Sequence, residues 1–132
     1  LANPPLTSGD DASILDTAIL WRRISREWWI ADKATGSYRL SSAAFQNKKD
    51  TNAMSVGLAD EIQGIAGFIG EFDGYGIAAF TAGLARQDCE QLVARAPEPG
   101  QPSWHTHVIG KKTSSVKKCI RDGCQMVVEP KH

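Results

Sequence analysis

The segment Trp104–Ile109 constrains this chain most, because its side chains alternate in character and a glycine then ends the run. Trp104, Thr106 and Val108 fall on one side and His105, His107 and Ile109 on the other, the two-residue period of a β-strand. After Gly110, Thr113 or Ser114 can cap a helix whose buried stripe is Val116, Cys119 and Ile120 and whose natural stop is Gly123. Cys124–Val128 then supplies a closing strand. Strand, turn, helix and strand in so short a stretch point to an α+β domain, with two or three helices on one face of a mostly antiparallel sheet.

The rest of the chain is read in the same way. Residues 1–11, with Pro4, Pro5, Gly9, Asp10 and Asp11, form an expected flexible arm, since they bury too little apolar surface to offset ordering. The single domain is expected over 12–132, beginning with a helix from Ala12 that passes into a strand near Leu20–Ile24. Asp32–Tyr38 and Gln46–Asn52 read as loops, and Ser41 or Ser42 as the cap of a short helix. Leu58, Ile62, Ile65 and Ile69 predict an amphipathic helix over Gly57–Glu71, with Gly64 and Gly67 allowing close packing. Tyr75–Leu84 is expected as a buried strand, paired with Gln91–Ala96.

With 132 residues, one core is expected. Fifteen basic and fifteen acidic residues leave no net charge, so charge arguments must be local. Residues 105–132 hold six basic and two acidic side chains, against nine and thirteen before them. Leu1–Asp11 lacks the basic and apolar regions of a secretory signal, and Glu71, Asp73 and several glycines interrupt the most apolar window, Ile62–Leu84. Neither export nor membrane insertion is expected. Three cysteines do not make the disulfide framework of a small secreted domain, and a cytoplasmic setting follows as the expectation.

His105 and His107, two apart on one strand face, stand about 6.6 Å apart at Cα and can flank one phosphate. One imidazole would take a proton from a 2′-hydroxyl and the other protonate the leaving oxygen, as in a metal-independent RNase. Lys111, Lys112 and Thr113, between strand and helix N-terminus, are the candidate anion holders. A Walker A loop is excluded because His105 stands where its first glycine belongs. The expectation is therefore phosphodiester chemistry on RNA or a nucleotide, without a cofactor. The alternative is a noncatalytic module that captures a protein partner through Trp28, Trp29, Arg22 and Arg26.

His105, His107, Cys119 and Cys124, with His132 as a substitute, have the donor types of tetrahedral zinc but irregular spacing, so no metal site is assigned. The order Arg22 or Arg23, then Ser41 and Ser42, then Glu129 is similar to the Arg, Ser, Glu order of ADP-ribosyltransferase domains. That resemblance implies nicotinamide dinucleotide support by Arg and Ser and orientation of the acceptor or ribose by Glu129. The Ser-Thr-Ser pattern is absent, and Val127 stands where a second Glu or Gln is often found.

Overall fold

A computed structural model describes residues 9–96 and 99–131. Six strands form an antiparallel sheet: β1 (Ile19–Ile24), β4 (Ala53–Leu58), β5 (Gly76–Thr81), β6 (Leu92–Arg95), β7 (His105–Ile109) and β8 (Gln125–Val128), in the order β6-β7-β4-β1-β5-β8. The short strands β2 (Trp29–Ala31) and β3 (Tyr38–Leu40) make a separate hairpin. Two α-helices, α1 (Gly64–Ile69) and α2 (Ser114–Gly123), accompany 3-10 turns and one π-helical turn at Leu84–Asp88. This is an α+β domain, mostly sheet. Among the described residues no helix is long and apolar enough to cross a membrane.

Side-chain alternation divides the sheet into two unequal faces. Leu20, Ile24, Met54, Val56, Phe80, Val93 and Val108 point to one side, where Ile120 of α2, Phe45 and Ala85 close the main core. Thr113 caps α2 by accepting from Val116 N–H, so the helix begins where the hydroxyl satisfies a free donor. On the other face Ile62, Phe68 and Ile77 form a smaller cluster with Trp21 and Trp104 packed against it. Gly57 lies beneath these rings. A Cβ there would meet Ile62 Cδ1 and Phe68 Cε1 at 2.7 Å and Trp104 Cε3 at 3.0 Å, so the aromatic layer sits directly on the strand backbone.

Several expectations are corrected. The helix expected over Gly57–Glu71 is confined to Gly64–Ile69, because Leu58 ends β4 and Ile62 follows a 3-10 turn. β4 is pinned by five register pairs to β7, from Ala53↔Ile109 to Gly57↔His105, and these long-range bonds override the local stripe. β6 pairs with β7 at the sheet edge, whereas β5 lies between β1 and β8. Residues 12–18 form turns rather than a helix. Of the arm expected over 1–11, residues 1–8 lie outside the described residues, as does His132. Asp10 and Asp11 are tied in place: the Asp10 carboxylate accepts from Val93 N–H and Arg86 Nε, and Asp11 N–H donates to Val93 O.

Candidate functional site

β1 and β4 pair at Leu20↔Leu58 and Trp21↔Gly57 and then part, which opens the sheet at its middle. Arg22 fills the opening. Its Nε donates to Ala44 O (3.0 Å) and one Nη1 proton to Ser55 O (2.9 Å), while the guanidinium lies 5.6 Å from the Trp28 ring centre. A backbone carbonyl that lost its strand partner thus gains a charged donor, which satisfies a group otherwise costly to bury. Arg23, next in sequence, points to the opposite face. It donates through Nε to Phe68 O at 2.8 Å and rests 4.5 and 4.4 Å from the ring centres of Phe68 and Phe72.

The two arginines border a cavity of about 360 Å³ whose other walls include Ser55, Phe68, Phe72, Trp104 and His105. Among the described residues neither guanidinium forms an ion pair, and no hydrogen bond engages Arg22 Nη2 or either Nη of Arg23. Burial, with the Arg23 charge beside it, pulls the Arg22 guanidinium down to about 10. Burial also lowers Arg23, against which Glu71 and Tyr75 act only through space. Positive charge held out of water without a carboxylate is energetically expensive, and an anion in the cavity would offset that cost. The aromatic walls suit a ligand with a flat or apolar portion.

His105 and His107 share the cavity face, as alternation required, with ring centres 5.1 Å apart and planes at 87°. His105 Nε2 is 3.2 Å from Ser55 Oγ, and its ring sits edge-on to Trp104. His107 is the register partner of Ser55 and faces a neighbouring cavity lined by Ala53, Ala94, Arg95 and Ile109. The histidines therefore stand together with Ser55.

The lysines do not join them. Lys112 Nζ donates to Asn47 Oδ1 at 2.7 Å, Gly110 O at 2.9 Å and Val108 O at 3.0 Å, so its three protons already tie the β7–α2 turn. Burial and the Arg22 charge draw this ammonium down to about 8. The Thr113 hydroxyl is the α2 cap, and Lys111 is exposed outside both cavities. Lys111, Lys112 and Thr113 therefore lie apart from the cavity that Arg22 and Arg23 border.

Trp28 and Trp29 are both partly buried. Trp28 and Trp29 pack against the main core, and Trp29 stacks on Tyr38 of the adjacent strand at 6.5 Å. Arg26 is exposed, while Arg22 turns inward. Cys119 donates to Asp88 O and Cys124 to Arg121 O on the α2 side of the sheet, so the sheet separates them from the histidines and the mixed zinc ligand set is not assembled. Among the described residues no cluster of three or more His, Cys, Asp or Glu side chains is placed to hold a metal ion. Ser41 caps the Ser42–Ala44 turn, and exposed Glu129 follows the edge strand β8, so neither lines the arginine cavity. Ser55, Phe68 and Phe72 carry no local motif; their site arises from the pairing of β4 with β7 and the placement of α1.

Comparison with known protein families, curated proteins and solved structures finds no match to this chain.

Proposed function

We propose that this protein binds a phosphate-bearing ligand of the nucleotide or RNA class in the cavity between β1 and β7. His105 and His107 then serve as the proton-transfer pair at its phosphodiester. The observation carrying this reading is the pair of guanidinium groups, both unpaired with carboxylates among the described residues and both lining one aromatic-walled cavity beside an imidazole. Free guanidinium N–H groups match phosphate oxygens in geometry and charge. Trp104 and Phe72 line the cavity and supply apolar contact for a base. A cytoplasmic setting fits a chain with three cysteines, too few for the disulfide framework of a small secreted domain.

Titration of AMP, inorganic pyrophosphate and a short single-stranded RNA, followed by tryptophan fluorescence, tests the reading. Binding should weaken roughly 10- to 100-fold in Arg23→Gln, the loss of one charge-assisted contact. Lys111→Gln should bind like the parent. If no phosphate compound binds, or if Lys111→Gln loses as much as Arg23→Gln, the cavity assignment fails. If binding holds but RNA is not cleaved, and His105→Gln and His107→Gln bind normally, the proton-transfer role alone is removed.

A further inference from the structure

We infer that Ser55 is a nucleophile activated by His105, and that the cavity supports covalent transfer of a phosphoryl group to Ser55 Oγ. The inference rests on the phosphate reading for the natural ligand, but its test does not depend on nucleotide affinity.

Ser55 and His105 lie diagonally across the β4–β7 pair, where Ser55 faces His107 and Gly57 faces His105. Such diagonal positions are within reach of one another's side chains on a sheet face. The Ser55 hydroxyl meets the imidazole Nε2 at 3.2 Å, the outer edge of the range for a nucleophile and its base. The neighbouring hydroxyl on the main-core face takes a different course: Thr106 Oγ1 donates to Trp104 O at 3.0 Å, a local backbone bond that leaves it no role in chemistry.

Three other features complete the arrangement. Arg22 Nη1 holds the Ser55 carbonyl and fixes the strand segment that presents Oγ. The His107 ring lies edge-on to His105 and helps set its plane. Arg22 and Arg23 line the same cavity as Ser55 and His105, in position to neutralise charge on a phosphoryl group.

The step balances without a metal or redox partner. Ser55 Oγ attacks phosphorus as its proton passes to His105 Nε2. The Oγ–P bond forms, and the P–O bond to the leaving alcohol breaks with its electron pair on oxygen. The His105 imidazolium then protonates that oxygen. Water, deprotonated in turn by His105, cleaves the phosphoserine and restores the hydroxyl.

A fluorophosphonate probe reports this geometry directly, since Oγ–P formation expels fluoride and His105 accepts the proton. The folded full chain is treated with the probe and followed by intact mass and peptide mapping. One adduct is expected on Ser55, absent in Ser55→Ala and formed at least ~100-fold more slowly in His105→Gln, the usual contribution of a general base. No adduct, an adduct on another residue, or an unchanged rate in His105→Gln overturns the inference. If His105→Gln does not fold, the parent's labelling rate against pH replaces it: the rate must fall as the imidazole protonates, and a flat profile refutes the dyad. Nucleotide binding without labelling removes the nucleophile and spares the binding site. Labelling without nucleotide binding does the reverse.

Discussion

Gly57→Ala tests whether the aromatic layer really rests on bare strand backbone. Gly57 does not occupy the left-handed region, so alanine suits its conformation and would by itself stabilise the protein by roughly 0.5–1 kcal/mol through the unfolded chain. Opposing this, the new methyl would stand 2.7 Å from Ile62 Cδ1 and Phe68 Cε1 and 3.0 Å from Trp104 Cε3. Ile62 can withdraw the tip of a flexible side chain, whereas the two rings move only as rigid bodies, and Phe68 is 2% exposed. Overpacking of this kind costs about 1–3 kcal/mol, so a net loss of roughly 1–2 kcal/mol is expected. With a urea dependence of about 1–2 kcal/mol per molar, the unfolding midpoint should fall by about 1 M. Adding Phe68→Leu should recover part of the loss, giving a coupling of at least ~0.5 kcal/mol between the two sites. A midpoint equal to or above the parent's, or strictly additive losses, would refute the reasoning.

Three further outcomes are expected. Because Lys112 titrates at about 8 in the fold and ordinarily at 10.5, the unfolded chain holds the extra proton between those values, and the stability owed to this group rises with pH across that window; urea midpoints of the parent should climb relative to Lys112→Met, and parallel profiles would remove the buried ammonium from the account. Arg86 binds the carboxylates of Asp10 and Asp16 and the carbonyls of Asp11 and Ile14, so Arg86→Ala should cost about 2–4 kcal/mol and speed amide exchange at Asp11 and Ile14; a change in melting temperature without faster exchange there would speak against the anchor. Burial pushes the Cys89 thiol up to about 12 and Cys124 up to about 11, whereas Cys119 is more open, so iodoacetamide should alkylate Cys119 first, and prior modification of Cys89 would contradict the packing.

What the sequence revealed and what it concealed follow from the range of the interactions. The alternation in Trp104–Ile109, the Thr113 cap and the helix stop at Gly123 depend on neighbours within a few residues, and β7 and α2 formed where those signals lay. The stripe Leu58, Ile62, Ile65 and Ile69 was equally regular, but Leu58 is captured by the sheet, where it pairs with Leu20 of β1 and its N–H donates to Trp104 O. Likewise β6 finds β7 across the Ala96–Pro102 breaker rather than β5. The histidine pair was visible as a shared face. Ser55 was not, because one serine in a strand has no meaning until its cross-strand neighbours are known. Arg22 and Arg23 are adjacent on β1 and so face opposite sides of the sheet, yet both reach one cavity because β1 and β4 separate beyond Trp21↔Gly57.

Apart from Arg22 and Val56, which reach it from the main-core side, the walls of the arginine cavity lie on the opposite face of the sheet, so most of what the chain offers a ligand is separate from what keeps it folded. Exchanges at Phe72, Ser55 or Arg23 leave the contacts around Leu20, Phe45 and Ile120 intact, so this scaffold can drift toward new ligands while its stability reserve stays largely unspent. The aromatic layer over Gly57 is the boundary of that freedom, since its rings belong to the cavity wall and the sheet's second cluster at once.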